Sequence, residues 1–247
     1  MFLGVEGLIG AGKSDFARRL ATMTGIEYMG EQYEDNPLLV KFYEDKKRYS
    51  FSVQIAFLTR RFHQHQQAVW NLGHGIPYAD LEVLEPIVDS FGGQVPKRES
   101  ALWAGVIQDR TIYADSIFVR MLVKQGDMGE DEANEYFNLF ALMRHFLDVP
   151  DGVIYLDVKP EVAHQRIMER DRSMESKMEL GYLVDLHEEY ERLMGELEDL
   201  GVSVLRVQWN DHLNEQNRYG RMYELLPQIF NLRRGTKNRL RRSARQL

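Results

Sequence analysis

The chain has 247 residues, 44% hydrophobic and 28% charged, with no cysteine and a formal charge of −7, enough for one full α/β core or two small ones. Disulfides and thiolate metal sites are excluded, which fits a reducing compartment such as the cytoplasm. No apolar run approaches the roughly 18 residues of a bilayer span, and the N-terminus reads as a strand rather than a secretory signal.

The first stretch with a chemical meaning follows the apolar run Phe2, Leu3 and Val5, which reads as a buried strand. It is Gly7-Leu8-Ile9-Gly10-Ala11-Gly12-Lys13-Ser14, followed by a helical pattern carried by Phe16, Ala17 and Leu20. Strand, glycine-rich turn and helix come in the order that a phosphate-binding loop requires. Gly7, Gly10 and Gly12 let backbone N–H groups turn toward an anion, and the helix N-terminus adds positive dipole. Lys13 is placed for the β- and γ-phosphates of a nucleoside triphosphate, and the Ser14 hydroxyl for Mg²⁺.

Residues 26–31 read as a second strand that ends on the carboxylate Glu31, at the sheet edge where open α/β folds bind ligands. Asp35-Asn36-Pro37 starts a helix that closes near Tyr43. A long helical pattern from Arg48 to Trp70 has Phe51, Ile55, Leu58 and Phe62 on its core face. Gln54 and Arg61 lie on one stripe beside that face, where an amide and a guanidinium in line can read the hydrogen-bonding edge of a flat polar ring. His63, His65 and His74 have no ligand company and read as surface or satisfied histidines. Residues 71–104 carry Gly73, Gly75, Pro77, Pro86, Gly92, Gly93 and Pro96, an unusually long break that reads as a lid, an interface or a mobile insertion.

A buried strand at 105–108 then delivers Asp109-Arg110-Thr111. An acid there suits a Mg²⁺ shell, and an arginine beside it can neutralise charge on a transferring phosphoryl group. Helices are expected over 112–124 and 131–146, and a strand over 152–158. Pro160 opens a helix with Arg166, Arg170 and Arg172, residues suited to phosphate by their planar, permanently charged forks. A helix over 178–200, a strand over 202–207 and a helix over 212–230 complete the pattern. Alternating strands and helices imply an α/β fold with a parallel sheet covered on both faces. Past residue 231, Arg233, Arg234, Lys237, Arg239, Arg241, Arg242 and Arg245 crowd together without an acid. The body is therefore too acidic for general nucleic-acid binding, and only this tail suits RNA, an acidic partner or a neighbouring subunit; its plain reading is a solvated extension.

Taken together, these motifs resemble the deoxynucleoside kinase family over nearly all of residues 1–207. The resemblance rests on Gly7 to Ser14, Glu31, Asn36-Pro37 with Phe42-Tyr43, Arg48 through Gln54 to Arg61, Asp109-Arg110-Thr111 through Asp115, and Arg166 to Arg172 with Glu175. It implies a phosphate-loop three-layer sandwich with a five-stranded parallel sheet, spanning 1–231 with an insertion at about 71–104 and a basic tail at 232–247. It also implies transfer of the γ-phosphate of ATP or another triphosphate, with Mg²⁺, to a deoxynucleoside 5′-hydroxyl. On that resemblance Glu31 is the general base, with Arg110, Lys13 and Arg170 completing the catalytic set. Gln54, Arg61 and Asp115 read the base, Tyr43 and Glu175 hold the sugar 3′-hydroxyl, and Ser14 and Asp109 hold the metal. Arg166, Arg170 and Arg172 form the lid on the phosphates. A purine preference is implied too, and so is a homodimer, for which the apolar helices near 113–146 offer the packing surface; the lack of a bilayer-length apolar run speaks against a membrane partner. The stacking ring is displaced: Phe118 stands one place early, Val119 occupies the expected position, and Phe57 or Tyr113 is the other aromatic available to the pocket. Two other readings stay open: a nucleoside monophosphate kinase, for which Arg60 beside Arg61 offers a second acceptor-side cation, and a catalytically inactive kinase fold used as a structural subunit.

Overall fold

A computed structural model describes residues 1–30, 36–74, 105–170, 178–211 and 215–243, and for residues 70–74, Glu215 and 233–243 the backbone alone. Five strands form one parallel sheet: β1 (Phe2–Gly7), β2 (Glu27–Met29), β3 (Val106–Asp109), β4 (Gly152–Asp157) and β5 (Val204–Gln208), in the order β2-β3-β1-β4-β5. The strand β1 is central, with Val5 paired to Asp109 on one side and to Ile154 on the other. Every residue of β1 and β3 is buried, whereas the edge strands β2 and β5 are mostly half-exposed. Apolar continuity in β1 and β4 is what covered strands of a parallel sheet require.

Among the described residues eight α-helices surround the sheet: α1 (Lys13–Thr24), α2 (Pro37–Glu44), α3 (Lys46–His74), α4 (Asp115–Lys124), α5 (Glu130–Arg144), α6 (Pro160–Arg170), α7 (Leu180–Asp199) and α8 (Glu215–Ser243). The predicted start at Asn36-Pro37 is present: the Asn36 side chain accepts from the Leu38 N–H at 3.1 Å, with Pro37 in the first turn. Such a cap is worth about 1 kcal/mol.

Most expected boundaries move by a residue or two, and three differences are larger. The element expected over 112–124 begins as a 3₁₀ turn, Ile112–Ala114, and becomes an α-helix at Asp115. The last helix continues to Ser243 rather than ending near Phe230. Of the stretch 71–104, residues 71–74 extend α3, and the rest lies outside the described residues. The helix α8 reaches β4 because Gly152 has no side chain; a Cβ there would stand 2.6 Å from the Leu232 Cβ. The carboxyl ends of β1 and β3 open together on one crevice, where the chain has built outward from β1 in both directions.

Candidate active site

The phosphate loop leaves β1 through Gly7, Gly10 and Gly12, at φ 147°, 83° and 90°, angles that only glycine adopts without strain. Gly10 is also pressed against α6: a Cβ there would come within 2.5 Å of the Ala163 carbonyl oxygen. The Lys13 ammonium, nearly buried, donates to the carbonyls of Gly7 (3.0 Å) and Leu8 (2.8 Å), so it is held at the loop it is meant to serve. The Ser14 hydroxyl donates to Asp109 Oδ2 at 2.5 Å, and the Tyr28 hydroxyl lies 3.5 Å from the same oxygen. Asp109 Oδ1 is buried and has no hydrogen-bond partner among the described residues. A hydroxyl and a carboxylate with an unmatched oxygen are the hard donors that suit Mg²⁺.

Beyond Asp109 the chain turns sharply. Arg110 has φ 64°, the one positive φ of a non-glycine among the described residues, a conformation that costs about 1–3 kcal/mol and persists only where its surroundings enforce it. Its N–H donates to the Val5 carbonyl (3.0 Å), and its guanidinium carbon lies 4.7 Å from the Phe118 ring centre. The next residue is tied by two bonds to one oxygen: Thr111 donates from its backbone N (2.6 Å) and its hydroxyl (2.7 Å) to Glu6 Oε1. Glu6 is fully buried. Burial pushes its carboxyl from 4.5 up to about 7, against the Thr111 hydrogen bonds and the positive charges of Arg110 and Lys13. Glu6 is a site residue that no motif announces; its one signal in the sequence is a carboxylate inside an otherwise apolar strand.

On the far side, Gln54 and Arg61 from α3 are both buried in the wall of the crevice. Arg61 Nε donates to Asp115 Oδ1 (3.2 Å), and its NH1 donates to the carbonyls of Asp109 (3.3 Å) and Arg110 (3.1 Å). The pair is thus fixed by the same turn that orients Arg110. The crevice has a volume of about 1360 Å³ and runs from Lys13 and Ser14, past Asp109 and Arg110, to Gln54, Phe57, Arg61, Asp115 and Phe118, with Tyr43 half-exposed on its wall. Phe118 and Phe57 therefore line it, while Val119 is buried in the core. Tyr113 does not line it: its ring is 3% exposed and packs edge-on against Phe140, because the 3₁₀ turn points it away from the cleft. Tyr182, at the start of α7, is a crevice residue the sequence did not announce; burial pushes its hydroxyl to about 12, with Arg110 opposing.

Arg166 and Arg170 both line the crevice from α6. Arg166 is engaged with backbone, donating to Trp209 O (2.9 Å), Asp211 O (3.2 Å) and Ala11 O (3.4 Å). Glu31, Arg172 and Glu175 lie outside the described residues. His65 is buried rather than at the surface, with Nε2 at 2.7 Å from the Asp148 carbonyl and Nδ1 without a hydrogen-bond partner among the described residues, and burial lowers its pKa; only one of its two ring nitrogens is satisfied. Asp157, His187 and Glu191 stand close enough to share a cation. Arg206 already pairs with Glu191 and Gln208 donates to Asp157, and none of the three lines the crevice.

Comparison with known proteins gives a consistent result. The model of the deoxynucleoside kinase family, described as "Deoxynucleoside kinase", matches residues 3–230. A deoxyadenosine kinase of Dictyostelium discoideum is 31% identical over 214 residues, covering 87% of this chain and 74% of its own. A deoxyadenosine/deoxycytidine kinase of Bacillus subtilis is 31% identical over 216 residues, covering 86% and 85%. The solved structure of a deoxyadenosine kinase from M. mycoides with bound dCTP superposes with a TM-score of 0.67 at 24% identity, covering 92% of this chain and 100% of the other.

Proposed function

Because the chain belongs to the deoxynucleoside kinase family, we propose that it moves the γ-phosphate of ATP, or of another nucleoside triphosphate, to the 5′-hydroxyl of a purine deoxynucleoside, deoxyadenosine or deoxyguanosine. The observation that carries this reading is one continuous crevice with the phosphate loop at one end and the buried Arg61–Asp115 pair at the other. Between them lie Asp109 and Arg110, where a transferring phosphoryl group belongs.

In this reading Gly7, Gly10, Gly12 and Lys13 cradle the donor phosphates, and Arg166, Arg170 and Arg172 close on them. Ser14 and Asp109 would hold Mg²⁺, which supplies charge neutralisation at the β- and γ-phosphates. Glu31 follows closely on β2, whose end adjoins β3 at the crevice edge, and takes the proton of the 5′-hydroxyl. Arg110 holds the hydroxyl and the developing charge. Tyr43 and Glu175 take the sugar 3′-hydroxyl, and Gln54, Arg61 and Asp115 take the base edge, with Phe57 and Phe118 against its face. The enzyme works as a homodimer in the cytoplasm, and any contact with nucleic acid is confined to residues 232–247.

A coupled assay of the purified protein with ATP, across the four deoxynucleosides and their monophosphates, tests this directly. Turnover of the purine deoxynucleosides above the pyrimidines is the expected result. Turnover of monophosphates alone would make it a nucleoside monophosphate kinase, and no turnover of any acceptor would leave an inactive kinase fold.

A further inference from the structure

Asp109-Arg110-Thr111 belongs to β3 and the turn after it, yet residues 110 and 111 are held by β1. The Arg110 N–H donates to Val5 O, and both donors of Thr111 converge on Glu6 Oε1. Gly4 and Glu6 are two apart on a strand and so share one face. The Thr111 methyl lies against Gly4, occupying the space that a Cβ there would need. Alternate residues of β1 therefore form a socket, a notch at Gly4 and an acceptor at Glu6, into which one threonine side chain fits methyl and hydroxyl together. Arg110, immediately before it, is the residue left at φ 64°. A left-handed arginine persists only where its neighbours over-determine it.

We propose that Glu6 is a positioning residue of the phosphotransfer site. Through Thr111, and with Gly4 as the notch, it fixes the Arg110 backbone and so aims that guanidinium into the crevice. The consequence is mechanical: β1 launches the phosphate loop and also sets the arginine, so donor and acceptor sides share one rigid reference. This rests on the kinase reading above for its effect on turnover, but not for its effect on Arg110.

The test compares wild type, Thr111→Val, Thr111→Ser, Gly4→Ala and Glu6→Leu by steady-state kinetics with ATP and deoxyadenosine or deoxyguanosine. Thr111→Val, Gly4→Ala and Glu6→Leu are expected to lower kcat about 10- to 100-fold, the scale of a small misplacement near the reacting atoms, with KM for ATP nearly unchanged. Thr111→Ser, which keeps the hydroxyl, restores most of kcat. Glu6→Leu combined with Thr111→Val falls no further than Glu6→Leu alone, because both remove the same contact. Wild-type kcat in Thr111→Val or Gly4→Ala, equal losses in Thr111→Ser and Thr111→Val, or effects that multiply in the double variant would overturn the proposal. Should Glu6→Leu not fold, the two threonine variants and Gly4→Ala decide alone. A crystal structure of Thr111→Val gives an activity-independent answer: Arg110 is expected to leave positive φ, and its remaining there refutes the positioning role even if the wild type phosphorylates no deoxynucleoside.

Discussion

The Arg61 guanidinium and the Asp115 carboxylate are each almost wholly buried, so neither can be changed without stranding the other. Breaking such a pair by one substitution typically costs about 3–5 kcal/mol, so a clean test of base reading replaces both at once. The double replacement is expected to change the ranking of the four deoxynucleosides while KM for ATP moves little; an unchanged ranking in competition assays would place base recognition elsewhere. At Glu31 the expected outcome is different in kind. Glu31→Gln keeps size and polarity but cannot take a proton, and should lower kcat about 10²- to 10⁴-fold; turnover equal to wild type would remove Glu31 from the mechanism. Glu6 makes a prediction about stability instead of rate. Its folded pKa of about 7 lies above the ordinary 4.5. The stability it contributes is therefore fully present below the unfolded value and lost as pH rises through the folded one. Urea midpoints of wild type and Glu6→Gln, compared from about pH 5 to about pH 8, should show the wild type losing ground to the variant with rising pH. A difference constant with pH would mean that Glu6 does not titrate in that range.

At the scale of elements, the phosphate loop and α6 are one packed unit. Gly10 has φ 83°, and any Cβ would meet the Ala163 carbonyl oxygen at 2.5 Å, with Ile167 Cγ1 at 2.9 Å behind it. Gly10→Ala therefore strains its own backbone and pushes α6, with Arg166 and Arg170, off the loop. The expected cost is about 1–3 kcal/mol of stability, together with weaker ATP binding, read by thermal melting and by titration calorimetry. An unaltered melting temperature would show that α6 yields freely. Elements whose cause is local were legible beforehand. Asn36-Pro37 carries its own cap, β4 its own apolar run, and the loop its own glycines. The 3₁₀ turn at Ile112–Ala114 was not legible, because residues 110 and 111 are claimed by β1, a partner more than 100 positions away in the chain.

At the scale of the molecule, the helices outside the crevice leave apolar surface in water. Leu142 on α5 is 64% exposed and Phe146, four residues further along the chain, 77%; a contiguous apolar patch is what marks an interaction surface. They are candidates for the interface of the proposed homodimer, and light scattering at micromolar concentration is expected to give twice the chain mass, with Leu142→Asp reducing it to one; a wild-type monomer would contradict the proposal. The α/β class, the phosphate loop, Asp109-Arg110 and the stripe of Gln54 and Arg61 all followed from sequence, since glycine geometry, strand hydrophobicity and helical period act over a few residues. Only the folded chain decided that Phe57 and not Tyr113 joins Phe118 in the crevice, that Tyr182 lines it as well, that Arg166 is bound to backbone carbonyls, and that Glu6 holds Thr111. Each of those outcomes depends on which distant strand or helix comes to lie alongside, and short-range pattern carries no record of that.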